Sequence, residues 1–180
     1  MAASILAFLT ALSMSACGDS LSPVGQLVPR KNADCLNFGT GQCSALSDAQ
    51  YQALLSEAYR LQFNYPSGST CNSLGNAMEY HVEMGNIEYR TQPLVYYDQG
   101  TQHTVYGEMN VDNGAVLTGD GYVQSGSMWV TNTSSYSLAE ATRHEVAHTL
   151  LDPTGMQNYT DFSGDSSNGL TAASIASMCR

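Results

Sequence analysis

The sequence has little positive charge. Six Lys and Arg residues stand against 16 Asp and Glu, which gives a formal net charge of −10 at pH 7. A surface this acidic repels phosphate backbones, and Lys and Arg are nowhere clustered, so nucleic acid is excluded as a partner. The five cysteines contain no C-x-x-C pair. This absence argues against a zinc site built from cysteines alone.

The N-terminal stretch, residues 1–16, is apolar, ends in small residues and is too short to span a bilayer. We interpret it as a signal peptide, and the alternative is a hydrophobic first helix of the folded domain. The run Met14-Ser-Ala-Cys17 resembles a bacterial lipobox, with Met14 where Leu is usual. The resemblance implies that Cys17 carries lipid and anchors the protein to a membrane of the cell envelope, on its outer or periplasmic side. Residues 17–34 then form a flexible tether, and 35–180 the domain.

The remaining four cysteines are an even number, which in an exported chain indicates two disulfides with three possible pairings. We favour Cys35 with Cys43 and Cys71 with Cys179. The second bridge closes a loop of over a hundred residues, and it would stabilise the fold by roughly 4–5 kcal/mol in the chain-entropy model.

The periodicity of apolar residues predicts an α+β fold. Ser47 and Gln50 form a capping-box pattern that opens a helix over about 48–62, and a second helix is predicted over 72–84. Between 87 and 132, short β-branched and aromatic runs alternate with turn signals, among them residues 98–100, 112–114 and 119–121, which predicts a mostly antiparallel sheet. Ser137 and Glu140 form a second capping box for a helix from Leu138 to about Leu151, ended by Asp152-Pro153. A short helix near 170–178 closes the chain.

The third predicted helix contains the pattern H-E-x-x-H at residues 144–148. Four residues make slightly more than one helical turn, so His144 and His148 leave the same face and can hold one metal ion between them. Glu145 lies beside the metal, where it can take a proton from water and pass it to a leaving amine. Because the chain has only four His in 180 residues, the pattern is a strong signal of a zinc site.

On these residues the stretch from about 87 to 165 resembles the zincin metallopeptidases. The resemblance implies that His144 and His148 are ligands of Zn²⁺ and that Glu145 is the general base of peptide-bond hydrolysis. It also implies a zincin-like fold, with a small sheet packed on the active-site helix, extra N-terminal helices, and an edge strand that holds a protein or peptide substrate.

The third ligand is not part of the motif. Leu151 and Thr154 stand where the longer metzincin pattern has Gly and His, and neither His nor Glu follows His148. On a straight helix the Asp152 backbone would lie roughly 9 Å further along the axis than the metal, which is too far for its carboxylate to reach. Asp161 and Asp165 lie in a loop long enough to fold back, as in the aspzincins, and we favour Asp161 over Asp165.

Four further residues are candidates for roles in the same site. Three are upstream alternatives for the third ligand: His81, His103 and Glu108. The hydroxyl of Tyr159 is a candidate for stabilising the developing oxyanion, as a Tyr does in several zincins. The sequence thus predicts a lipid-anchored zinc metallopeptidase, and the alternative is an envelope lipoprotein that keeps the fold but only binds.

Overall fold

The computed structural model describes residues 43–118, 121–134, 136–155, 158–161, 164 and 166–180. The predicted signal peptide 1–16, the predicted tether 17–34 and the first residues of the predicted domain 35–180 lie outside this part. Cys17, Cys35 and Asp165 lie outside it as well. In the described part of the chain, no helix is long and apolar enough to cross a membrane.

The fold is α+β, as predicted, with a mixed sheet rather than a simple meander. The described helices are α1 (Asp48–Asn64), α2 (Thr70–Glu83), α3 (Leu138–Ala147) and α4 (Ala172–Met178). The described strands are β1 (Cys43–Ala45), β2 (Ile87–Arg90), β3 (Leu94–Asp98), β4 (Thr101–Val105), β5 (Gly107–Thr118) and β6 (Gly121–Val130). They form a four-stranded sheet in the order β1-β2-β6-β5 and a separate hairpin of β3 and β4.

Helix α1 begins as its sequence predicts. The Ser47 side chain accepts a hydrogen bond from the Gln50 N–H, and the Gln50 side chain accepts one from the Ser47 N–H, so the capping box is complete. Helix α2 packs against α1. The two helices approach closely at Gly75, where a Cβ would lie 2.8 Å from the Ala58 carbonyl oxygen. Leu54, Ala58 and Leu61 are fully buried on the facing side of α1.

Most of the described strand pairs are antiparallel, as predicted, and three features of the sheet were not predicted. Strand β2 runs parallel to β6, and the chain passes through the β3–β4 hairpin and β5 between these two strands. The turn predicted at 112–114 is instead a register irregularity within the long strand β5, between Val111 and Ala115. Pairing with β6 keeps this Gly- and Asn-containing stretch extended, although its propensity alone favours a turn. Strand β1, which the sequence analysis did not predict, pairs with β2.

Helix α3 ends at Ala147, four residues earlier than predicted. The Ser137 side chain caps its N-terminus by accepting from the Glu140 N–H, but the Glu140 carboxylate pairs with Arg180 instead of completing the box. At the other end, His148 is the C-cap, and Thr149 bonds back to Val146 in a tighter turn. Asp152-Pro153 therefore follows the end of the helix rather than causing it.

The predicted disulfide between Cys71 and Cys179 is present, and it spans a sequence separation of 108 residues. It joins the start of α2 to the end of α4, and both cysteines are buried in the main core. Cys43 is disulfide-bonded, while Cys35 lies outside the described residues, so its predicted pairing with Cys43 stays a prediction.

Candidate metal centre

The two histidines of the motif lie next to each other on α3 and its C-cap. Their ring centroids are 5.0 Å apart in an edge-to-face arrangement. Each side chain is about one-fifth exposed, His144 at 21% and His148 at 20%. The spacing of four residues on one helix therefore brings both imidazoles to one partly open surface, as predicted.

Asp161 approaches both histidines from the following loop. Its Oδ1 lies 3.4 Å from His144 Nε2 and 3.9 Å from His148 Nε2. One ligand atom from each of the three side chains lies within 4.8 Å of the others, so the group can hold a metal ion. Two imidazole nitrogens and one carboxylate oxygen are an acceptable donor set for zinc with a fourth position left open. Asp161 itself is 57% exposed.

The backbone of the same loop orients His148. Its Nδ1 lies 2.8 Å from the carbonyl oxygen of Tyr159. Since a carbonyl can only accept, Nδ1 carries the hydrogen of this bond, and Nε2 is the ring nitrogen that faces Asp161. The Asn158 side chain donates to the carbonyls of His148 and Leu150, which attaches the loop to the end of α3.

Glu145 lies beside the group of three rather than within it. Its Oε1 is 4.0 Å from His144 Nε2, and its side chain is 8% exposed. The carboxylate lies against strand β5 at Gly107, where a Cβ would come within 2.5 Å of Oε1. The Glu145 side chain thus lies between its own helix α3 and the edge strand β5.

These groups line a cleft of about 530 Å³. The continuous segment 104–109 also lines it and runs from the end of β4 into β5, an edge strand of the main sheet. Residues 158–161 and Tyr136 complete the lining. The volume falls in the range of ordinary ligand sites.

Burial dominates the electrostatics of the centre. It lowers the pKa of His144, with a further lowering from His148 that Asp161 opposes, so the neutral imidazole is favoured. Burial, together with Asp161 and Glu108, raises the pKa of Glu145 to about 8. A carboxyl group with a raised pKa holds a proton more readily than an ordinary Glu, which is a property of general acids and bases.

Tyr159 contacts the histidine pair through its backbone carbonyl rather than through its ring. The side chain is 3% exposed in the core, and its hydroxyl accepts a hydrogen bond from Asn168 Nδ2 at 3.0 Å. Its carbonyl is the acceptor for His148. The predicted contact of the Tyr159 hydroxyl with an oxyanion stays a prediction. Tyr106 and Tyr136, which had no predicted role, also line the cleft, and their ring centroids are 5.2 Å apart.

Among the described residues, none of the alternative third ligands joins the group formed by His144, His148 and Asp161. His81 is fully buried in α2 beside Asn86, and His103 is exposed on β4. Glu108 lines the cleft, but its carboxylate accepts from Trp129 Nε1 at 3.1 Å. Asp152 is buried and accepts from Thr154 and Ser167, so it organises the loop after α3. Asp165 lies outside the described residues.

Arg143 is a support of the site that the motif did not reveal. Its guanidinium pairs with Glu57 on α1 and donates from Nε to the Ala176 carbonyl on α4 at 3.2 Å. Arg60 also pairs with Glu57, at 2.7 Å, and donates to the Cys179 carbonyl. The residue before His144 therefore attaches α3 to two other helices. The one signal in the sequence for this role is that Arg143 stands in the middle of an apolar helix face.

No protein-family model matches this sequence, and no curated protein and no solved structure matches it either.

Proposed function

We propose that the protein is a zinc-dependent metallopeptidase, with His144, His148 and Asp161 as the ligands of Zn²⁺ and Glu145 as the general base. The observation that carries the proposal is the meeting of Asp161 with the two histidines. Asp161 lies 13 residues beyond His148 in the sequence, yet its carboxylate reaches both Nε2 atoms. A structural role for the histidines alone does not require a third ligand from a loop.

The chemistry follows from the donor set. Zinc held by these side chains would supply a Lewis acid that brings the pKa of water toward 7. Glu145, beside the ligand group, takes a proton from the attacking water and passes it to the leaving amine.

The substrate we propose is an extended polypeptide lying along β5. An edge strand presents backbone N–H and C=O groups on one side, and a peptide can pair with them as an added strand. The segment 104–109 runs directly past Glu145 in the cleft. Such pairing would place a peptide bond over the metal centre without requiring a particular side chain.

We also propose that the protein is exported and lipid-anchored at Cys17 in the cell envelope. The disulfide between Cys71 and Cys179 supports export, because such bonds form and persist in oxidising compartments. The zincin-like fold is part of the same proposal, and it is supported by a sheet whose edge strand lies beside the motif helix.

The test is the zinc content of the purified protein by elemental analysis, together with hydrolysis of an unstructured protein such as casein. Wild type is expected to hold one zinc per chain and to cleave. His148→Ala and Asp161→Ala are each expected to lose the zinc and the cleavage. His103→Ala, a change of an exposed histidine outside the group, is the matched control and should retain both.

The other outcomes are equally informative. Folded wild type without zinc would refute the metal centre. Zinc lost with His148→Ala but without cleavage of any protein tested would favour the alternative, a zincin-like lipoprotein of the envelope that binds without turnover.

A further inference from the structure

Gly107 occupies a position where a side chain has no room. An added Cβ would lie 2.5 Å from Oε1, 2.6 Å from Cγ and 2.7 Å from Cδ of Glu145. Contacts under about 3 Å are well inside van der Waals distance. All three nearest atoms belong to the same side chain, so the tight space at Gly107 is made by Glu145.

The backbone itself does not require glycine here. Gly107 is not among the residues with positive φ, and it pairs with Val130 in the regular β5–β6 ladder. Glycine weakens a strand, since it loses more conformational freedom on folding than other residues. A glycine at an ordinary strand position therefore indicates that something approaches the backbone closely, and at Gly107 that group is the carboxylate of Glu145.

The close approach determines where the carboxylate lies. With β5 on one side, Glu145 Oε1 is held 4.0 Å from His144 Nε2, next to the ligand group but outside it. A methyl group at position 107 would push the carboxylate away from the strand, either toward the histidines or out into the cleft. A displacement of about 1 Å of a catalytic group can lower a rate by about a hundredfold.

We propose that Gly107 is a positioning residue, whose missing side chain allows the edge strand to hold the Glu145 carboxylate beside the metal centre. The role in catalysis rests on the proposed function. The contact itself does not, since it can be measured in the metal-free protein.

The experiment is a double-mutant cycle between Gly107→Ala and Glu145→Ala, read by thermal unfolding of the metal-free protein. Glu145→Ala removes all three atoms that crowd position 107. We expect Gly107→Ala alone to lower Tm by about 4 °C or more. In the Glu145→Ala background the same change should cost less than half of this, or stabilise slightly, because alanine restricts the unfolded chain more than glycine does.

Gly75→Ala is the matched control for the cycle. A Cβ at Gly75 meets the Ala58 carbonyl oxygen and the Gln62 nitrogen of α1, at 2.8 and 2.9 Å, and does not involve Glu145. Its loss of Tm should be the same in both backgrounds. An equal loss for Gly107→Ala in both backgrounds would overturn the proposed contact.

Kinetics test the positioning role separately. With zinc content unchanged, Gly107→Ala should lower kcat at least 10-fold and leave KM within about threefold, because the change displaces the base and not the ligands. Full kcat in Gly107→Ala would overturn the positioning role. A wild type without zinc or activity would refute the proposed function instead, and the Tm cycle would still decide whether Gly107 holds Glu145.

Discussion

The two faces of helix α3 differ in what surrounds them. On one face, Arg143 has a side chain 8% exposed and pairs with Glu57, while Val146 and Ala147 are fully buried in the core. On the other face, His144 and His148 remain about one-fifth exposed and line the cleft. Neighbouring residues of one short helix and its C-cap therefore serve two purposes. Arg143 attaches the helix to the rest of the fold, and His144 and His148 supply the proposed metal ligands. Changes on the two faces should therefore have separable effects.

The largest expected effect is on the cleft face. Glu145→Gln keeps the size of the side chain but removes the proposed general base, so kcat should fall about 10²- to 10⁴-fold without loss of zinc. Tm should change little, because Gln is close in shape to the protonated acid. Steady-state kinetics, elemental analysis and thermal unfolding would measure the three quantities. Glu140→Gln, on the same helix, is the control. A loss of zinc in Glu145→Gln would contradict the distinction between base and ligands.

The next-largest expected effect is a loss of stability when a residue on the buried face of α3 is changed. Arg143→Met keeps the apolar stem and removes the charge facing Glu57, which retains only Arg60 as a partner. The free energy of unfolding should fall by about 2–3 kcal/mol, measured by urea denaturation. The matched control is Arg180→Met, since Arg180 is 64% exposed in its pair with Glu140. That change should cost about 1 kcal/mol or less. Equal costs for the two variants would show that the Glu57 network does not anchor the helix.

The smallest expected effect is a dependence of thermal stability on pH in the acidic range. Burial alone would raise the pKa of Glu57, but hydrogen bonds from Arg60 and Arg143 outweigh it, and the pKa lies below its ordinary value of 4.5. A carboxyl group with a lowered folded-state pKa contributes stability above its unfolded pKa and loses it as pH falls through the folded value. The Tm of wild type should therefore decline below about pH 4.5. The Tm of Glu57→Gln should decline as well, but by about 2–4 °C less. Parallel curves for the two proteins would exclude Glu57 from the acid response.

Much of the helical structure could be predicted because its signals are local. The capping box at Ser47 and the apolar spacing of Leu54, Ala58 and Leu61 concern residues within a few turns of each other, and helix α1 lies within two residues of its prediction. The end of α3 could not be predicted in the same way. It depends on Asn158, which donates to the His148 carbonyl from ten residues away.

The sheet shows the same limit. Its strands were mostly located by β-branched and aromatic runs, but the parallel pairing of β2 with β6 joins segments about 40 residues apart. The irregularity within β5 was predicted as a turn, since Asp112-Asn-Gly114 favours one locally. Pairing with β6 on both sides of that point keeps the strand continuous. Long-range pairing is decided by the whole fold, and a short window does not contain it.

In the candidate site, too, local relations could be predicted from the sequence and long-range contacts could not. The relation of His144, Glu145 and His148 follows from helical pitch, so it could be read from five consecutive letters. The approach of Asp161 and the close contact between Gly107 and Glu145 depend on how a loop and an edge strand pack against that helix. The tertiary structure alone decided these, because the contacts join residues 13 and 38 positions from their partners through packing that local propensity does not encode.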